Sequence, residues 1–306
     1  MSVGVLGPNM MVGPFIIHEA IAKGGMATVY HASLPDGSHE AALKVSRYAE
    51  TDRRYGNALR FEADLLENLN HPNIVRLLPL PLPNVRIPPV TAKAMQVRGN
   101  PWYYAMEYMH GGPLLSYIEH GGTLPLDVAA SIIYQVSRGL LYLHKVGYAH
   151  LDIKTENILL KYPLEKGAII HPVIIDFGVA AQSSRGVQAA GGTLLIMAPE
   201  RLAAQTDDAS IDASKLDVYS LGVTFYRLLT GQYPFAGFSQ RALISAILND
   251  PIVPPSDVYS GIPPEANALA MACLAKDQAD RMDLPTLVAQ LERLPYRITR
   301  LSRAVV

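Results

Sequence analysis

The hydrophobic rhythm of the chain changes near residue 110. Before that point apolar residues come in short β-leaning runs. Residues 27–32 and 41–45 flank Leu34-Pro35-Asp36-Gly37-Ser38, and Asp-Gly between two such runs predicts a hairpin. Arg98-Gly99-Asn100-Pro101 separates residues 94–97 from 102–107 in the same way and predicts a second hairpin. Between the two, Leu59, Glu62, Leu65, Leu66 and Leu69 recur at three- and four-residue steps. A helix is therefore expected over 58–69, stopped by His71-Pro72-Asn73. The proline-rich stretch 79–89 reads as an irregular connection. Beyond 110 the period is helical. Residues 128–144 put Val128, Ile132, Ile133, Val136, Leu140 and Leu143 on one broad face, with Pro125 suited to the first turn. Further helices are predicted over 215–229, 241–248, 265–274 and 285–294. A small sheet-rich part before a larger helical part predicts an α+β chain of two lobes. The expected divisions are a tail (1–14), a small lobe (15–107), a joint (108–113), a large lobe (114–293) and a basic tail (294–306). A cleft between two lobes is where a ligand is expected.

Composition narrows the class. No stretch supplies the roughly 18 consecutive apolar residues of a membrane span. The uncharged start is broken by Gly4, Gly7, Pro8, Gly13 and Pro14 and lacks the basic opening of a secretory signal. The run 218–226 ends at Arg227. Apolar residues make up 49% of the chain, enough for a sizeable core. The 26 basic and 27 acidic residues nearly cancel, so no general attraction to nucleic acid or anionic membrane is expected. Charged residues are only 17%, against about 25% in an average domain, which makes each charge inside an apolar run worth explaining. The single cysteine, Cys273, excludes an internal disulfide framework and agrees with a reducing, cytoplasmic setting. After Glu292 come Arg293, Arg297, Arg300 and Arg303 without an acid. They read as a solvated helix end with a frayed tail, or else as a linker toward a membrane or a further domain.

Four segments carry candidate chemistry. In Ile21-Ala22-Lys23-Gly24-Gly25-Met26-Ala27-Thr28-Val29-Tyr30 the glycines allow backbone N–H groups to approach phosphate oxygens, although paired glycines also mark bulges between strands. Lys44 sits in an apolar strand run, where an unpaired ammonium is costly. Glu62, on the inward face of the first helix, is its natural partner. His150-Leu151-Asp152-Ile153-Lys154-Thr155-Glu156-Asn157 is followed, 19 residues after Asn157, by Asp176-Phe177-Gly178. Met197-Ala198-Pro199-Glu200 closes a 25-residue segment counted from Asp176. Two carboxylates and an amide suit a magnesium ion shared with phosphate oxygens, and phosphoryl transfer needs mainly position and charge neutralisation.

In this order the segments resemble the eukaryotic-type (Hanks-type) serine/threonine protein kinases, most like the bacterial members, over residues 15–293. The resemblance implies a bilobal protein-kinase fold: a small β-rich lobe with one key helix, a hinge at 108–113 and a larger, mainly helical lobe. It implies ATP and Mg²⁺, or Mn²⁺, as cofactors and protein substrates as partners, the chain itself among them; a dimer stays open. Ile21, Ala22, Lys23, Gly24, Gly25, Met26, Ala27, Thr28 and Val29 would cover the nucleotide, with Ile21 as a roof. Val29, Ala42 and Leu159 would sandwich the adenine, Met106 would be the gatekeeper, and Glu107 and Met109 would offer backbone hydrogen bonds. Plain core packing is the alternative reading of these apolar residues. Lys44, paired with Glu62, would meet the α- and β-phosphates. Asp152 would accept the hydroxyl proton, Lys154 would neutralise the γ-phosphate, and Asp176 and Asn157 would hold the metal. Asp217 bracing the catalytic loop and Glu200 paired with Arg281 would be structural. Ser183, Ser184 and Thr193 fall in the activation segment. Lysine two residues after Asp152 resembles the serine/threonine rather than the tyrosine class.

The chain departs from the family pattern at four positions. Ala22 and Ala27 replace glycines, which is acceptable where φ is negative. Leu151 replaces the arginine that meets an activation-segment phosphate, so activity is expected not to need that phosphate. Ile196 stands where Tyr or Trp is common and alters the floor of the peptide site. The alanines and the leucine motivate a second reading, a pseudokinase serving as a nucleotide-binding or scaffold module. A third, a small-molecule kinase on a related fold, accounts poorly for Ala198-Pro199-Glu200, Asp217 and Arg281.

Overall fold

Among the described residues, seven strands and one helix build the first of two units. Strands β1 (Met11–Val12), β2 (Phe15–Lys23), β3 (Ala27–Ser33), β4 (Glu40–Ser46), β5 (Leu77–Leu78), β6 (Thr91–Lys93) and β7 (Trp102–Glu107) form one antiparallel sheet. Its order is β1-β2-β3-β4-β7-β5, with β6 also on β7. Helix α1 (Arg54–Glu67) follows β4 in the chain. The computed structural model describes residues 6–47, 54–83, 85–119, 122–182, 192–204 and 210–294. Within these, the first unit gathers the residues up to Asn70, Ile74–Met109 and Asp176–Gly178.

The strand alternation sorts the sheet into two faces. Phe15 and Ile17 on β2, Tyr30 and Ala32 on β3, and Leu43 and Val45 on β4 point into one apolar core, which Leu6 and Val12 join from before β2. Ala42 and Lys44 alternate with them onto the opposite face. Between β3 and β4 the Asp36-Gly37 turn closes the predicted hairpin: Gly37 has φ +72° and Asp36 Oδ1 accepts the Ser38 N–H at 2.9 Å. The second hairpin is displaced from its expected place. β6 lies at Thr91–Lys93, with Lys93 opposite Trp102, and residues 94–101 form turns. Val97 N–H donates to Ala94 O at 3.0 Å and Asn100 N–H to Val97 O at 2.9 Å. Ala94 and Val97 are both buried. Their three-residue spacing drops both side chains into the core from one turn, so the run has the polarity of a strand without its geometry. Helix α1 docks through Gly56, where a Cβ would stand 2.7 Å from Trp102 Cδ1, and through Arg60, stacked 4.7 Å from the Trp102 ring centroid.

The second unit is mainly helical: α2 (Leu126–Lys145), α3 (Pro199–Ala203), α4 (Ala213–Thr230), α5 (Gln240–Asn249), α6 (Pro255–Val258), α7 (Pro264–Cys273) and α8 (Leu284–Arg293). Strand β8 (Gly112–Pro113) joins β10 (Ile158–Leu160) and β11 (Pro172–Ile174) in a small sheet, and β9 (Tyr148–Ala149) pairs with β12 (Ala181–Gln182). Pro125 caps α2 with extended backbone rather than entering its first turn, and its carbonyl accepts the Ala129 N–H at 2.9 Å. α4 is buried along most of its length. Its ends are set by Asp212, which accepts the Ser214 N–H at 2.9 Å, and by Gly231 at φ +74°. No helix among the described residues is long and apolar enough to cross a membrane.

Helices α4 and α7 meet where Gly222 faces Cys273. A Cβ on Gly222 would lie 2.7 Å from Cys273 Cβ and 3.2 Å from its backbone carbon. Gly222→Ala should lower stability by about 1–3 kcal/mol through overpacking. Thermal unfolding followed by circular dichroism checks this, and an unchanged Tm would contradict the close approach.

Candidate active site

In the first unit the apolar face of α1 carries one acid. Glu62 is buried among Leu59, Ala63, Leu65 and Leu66, and Lys44 Nζ reaches both its oxygens at 2.7 Å. The same ammonium donates to Asp176 Oδ1 at 2.8 Å, and Phe177 N–H donates to Glu62 Oε1 at 2.9 Å. Burial works against the Lys44 charge, but Glu62 and Asp176 outweigh it and hold its pKa above the ordinary lysine value. Burial pushes the Glu62 carboxyl upward, with the Lys44 charge opposing. Tyr104, fully enclosed beside Glu62, is raised well above the usual phenol range by burial and by the neighbouring carboxylates. Two carboxylates share one ammonium, so the cluster is formally negative. Glu62 is 3% exposed and Asp176 is 46% exposed, so Asp176 is the member able to take a cation from solution. Asp176 holds a φ of +61°, a strained value for a residue with a Cβ. Beside it, a Cβ on Gly178 would come within 3.3 Å of Asp176 Oδ1.

The glycine turn joins β2 to β3. Gly24 N–H donates to Ala27 O at 2.9 Å, and Ala22 pairs with Val29 and Lys23 with Thr28. Neither Ala22 nor Ala27 has a positive φ, so alanine is stereochemically acceptable at both. Ile21 and Met26 are exposed, as is Gly25. Ala42 lies opposite Met106 in the sheet, and both are buried, as is Met109. Glu107 N–H is taken by Arg76 O at 3.1 Å, which leaves that N–H unavailable to a ligand.

In the second unit Asp152 is enclosed by donors. Its Oδ2 accepts Lys154 Nζ at 2.7 Å and Asn157 Nδ2 at 2.8 Å, and its Oδ1 accepts Thr193 N–H at 3.0 Å. Lys154 also donates to Thr193 Oγ1 at 2.6 Å. The loop that presents Asp152 is held by Asp217. One Asp217 oxygen accepts Leu151 N–H at 2.7 Å; the other accepts His150 N–H and His144 Nε2, each at 2.8 Å. Burial alone would raise the Asp217 carboxyl; the His144 hydrogen bond and charge outweigh it, with help from His150, and hold the pKa below the ordinary value. His150 accepts Asp152 N–H on Nδ1 at 3.3 Å and faces Ile175 O through Nε2 at 3.0 Å, partners that place its proton on Nε2. Leu151 has φ +67° and packs its side chain with Ile196, Ala198, Leu216 and Tyr219. Leu159 lies on β10 opposite Val173. Arg281 forks onto Glu200 at 2.7 and 3.0 Å and also donates to Ala275 O at 3.0 Å and Lys215 O at 2.9 Å. Ser183 and Ser184 lie outside the described residues.

The expected residues thus gather into two sets, Lys44, Glu62 and Asp176 in the first unit and Asp152, Lys154, Asn157 and Thr193 in the second. Three further contributors have no local signature. His144 looks like an ordinary helix end until it meets Asp217, 73 residues on. Arg201 donates to Leu151 O from α3. Arg227 donates to Thr155 Oγ1 at 2.8 Å and lies 3.7 Å from Glu156.

The family model for the protein kinase domain matches residues 15–291, and the chain belongs to that family. It is 33% identical over 273 residues to the serine/threonine-protein kinase PknJ of Mycobacterium tuberculosis, covering 87% of this chain and 42% of that protein. It is 30% identical over 287 residues to PknL of the same organism, covering 92% and 65%. With human mitogen-activated protein kinase kinase kinase 11 it shares 31% over 292 residues, 93% of this chain and 32% of that one. The chain therefore spans less than two thirds of the length of each of these relatives.

Asp217→Asn leaves the loop N–H groups with a weaker acceptor and should cost about 3 kcal/mol. The Asp217 pKa is depressed in the fold, so its stabilisation is present above the unfolded carboxylate value of about 4 and is lost as pH falls through the folded value. Tm measured from pH 7 down to 3 should fall less steeply in the variant. Parallel curves would contradict this role for the carboxylate.

Proposed function

We propose that the chain is an ATP-dependent serine/threonine protein kinase whose domain covers residues 15–293, with 108–113 as hinge. The observation that carries this reading is the pairing of Asp152 with Lys154 at 2.7 Å, steadied by Asn157 and Thr193. The pair offers a base for a hydroxyl and a cation for the phosphoryl group beside it. In the reaction the substrate Oγ forms a bond to the γ-phosphorus, the bond to the β-phosphate oxygen breaks, and ADP leaves. Asp152 orients the hydroxyl and takes its proton, and Lys154 offsets charge on the transferred group. Lys44, fixed by Glu62, holds the α- and β-phosphates. Backbone N–H groups of Gly25 and Met26 and the side chains of Ile21 and Val29 cover the nucleotide, while the Gly24 N–H closes the turn onto Ala27 O.

Asp176 and Asn157 would hold Mg²⁺, with Mn²⁺ suited to the same oxygens; the cation would neutralise the phosphate charge. The residues fit this task. Asp176 is exposed within a negative cluster, and Asn157 commits its amide nitrogen to Asp152, leaving its hard carbonyl oxygen as the donor. The proposed setting is cytoplasmic, in keeping with a free Cys273 buried in the core, and the substrates are proteins, including a second copy of the chain. Leu151 supports activity without a phosphorylated activation segment. Its place is filled by apolar packing with Ile196 and Tyr219 rather than by a cation.

Transfer of labelled phosphate from Mg-ATP to a general protein substrate tests the reading. Asp152→Asn should reduce kcat by roughly 10²–10⁴-fold while nucleotide affinity holds. A wild-type chain no more active than this variant would leave the scaffold reading in its place. The double variant Ser183→Ala, Ser184→Ala, starting from phosphate-free protein, should retain activity within about twofold, since less than about 0.5 kcal/mol is then at stake. Its loss would reinstate dependence on a segment phosphate.

A further inference from the structure

We propose that Arg201 is a second positioning residue of the catalytic loop, acting opposite Asp217. The inference rests on the protein-kinase reading of Asp152. Leu151, the residue before Asp152, is held at φ +67°, a conformation that persists only where its surroundings over-determine it. Two opposite charges do so. Asp217 accepts the N–H groups of His150 and Leu151 at 2.8 and 2.7 Å. On the other side, Arg201 Nη1 donates to the Leu151 carbonyl at 3.1 Å. Leu151 is therefore clamped at its N–H by a carboxylate and at its carbonyl by a guanidinium, one on each of the two peptide groups that flank its Cα.

The clamp is built into the interior. Arg201 is 5% exposed, on a helix of five residues whose other charged member, Glu200, is bound to Arg281. Burial lowers the Arg201 pKa, and the charges of Asp217 and Asp152 favour its ionised form. Gly192 closes the arrangement from the activation segment. It has φ +91°, and a Cβ there would lie 3.4 Å from both Arg201 Nη1 and Leu151 O. The next residue, Thr193, donates its N–H to Asp152 Oδ1 at 3.0 Å. Arg201, Leu151 O and Gly192 thus form one junction, from which the chain runs to Asp152 on one side and to Thr193 on the other. Loss of the guanidinium would leave Leu151 O without its donor and free the strained peptide to relax. The Asp152 carboxylate would shift while the residues placed around the nucleotide in the first unit stay untouched.

The test compares Arg201→Met, Arg201→Lys and Gly192→Ala with the wild-type chain. The measurements are steady-state phosphate transfer, binding of a fluorescent ATP analogue, Tm, and amide hydrogen exchange over residues 150–152. Arg201→Met should lower kcat by about 10²-fold, the scale of a misplacement near 1 Å. Analogue affinity should stay within about twofold, below about 0.5 kcal/mol, and exchange at 150–152 should rise. Arg201→Lys keeps the charge without the fork and should recover part of the loss. Gly192→Ala, at an exposed position that removes no buried group, should lower kcat in the same sense, and it decides the matter should Arg201→Met fail to fold. A kcat for Arg201→Met within about threefold of wild type would overturn the inference, that being under about 0.7 kcal/mol. So would a loss of analogue binding that matches the loss of kcat. Should the wild-type chain transfer no phosphate, the kinase reading falls. Hydrogen exchange then still decides this inference, and unchanged exchange at 150–152 would end it.

Discussion

A carboxylate that water does not reach organises the second unit. Asp217 sits on α4, entirely buried, and taking such a group out of water costs several kcal/mol. The cost is offset only because two backbone N–H groups and an imidazole point at its oxygens. Those N–H groups belong to the loop before Asp152. The arrangement therefore works in both directions: the loop keeps the carboxylate ionised, and the carboxylate keeps the loop in an otherwise unfavourable shape. Asp152, Lys154, Asn157 and Thr193 inherit their positions from this exchange.

Buried charge is handled in the same way elsewhere. Lys44 and Glu62 satisfy each other inside the first unit, and Arg281 spends its guanidinium on Glu200 and backbone carbonyls. A chain with only 17% charged residues thus places several of them where solvent cannot help. Removing one member of such a pair is far costlier than removing a surface charge, because the partner is left in the interior.

How much of this was legible in the residues depends on the range of the interaction. The long amphipathic segments announced α2, α4, α5, α7 and α8 to within a few residues, since an apolar face repeated over ten or more positions has few other uses. Strands of two or three residues, such as β8, β9 and β12, are too short to display a period. Residues 94–97 misled because two buried side chains in a turn resemble strand polarity. Within the site, Lys44 and Glu62 stood out as charges inside apolar patterns. Asp152, Asn157 and Asp176 stood out through ordered spacing and family resemblance. His144 and Arg201 gave no such sign. Each sits at a helix position where a basic residue is unremarkable, and the group it serves lies 50 or more residues away in the chain.

Leu151 shows how a strained residue can supply its own restraint. Left-handed backbone costs a residue with a Cβ about 1–2 kcal/mol, whereas burying a leucine side chain returns about 1.5–3 kcal/mol. Its packing with Ile196, Ala198 and Tyr219 therefore covers much of the tension in the loop. An arginine at this position would forfeit that return and bring a charge into an apolar cluster. Position 151 is consequently tied to position 196 and its neighbours by epistasis. An arginine at position 151 would therefore call for compensating changes in Ile196 and its neighbours, because contacting core positions do not change independently.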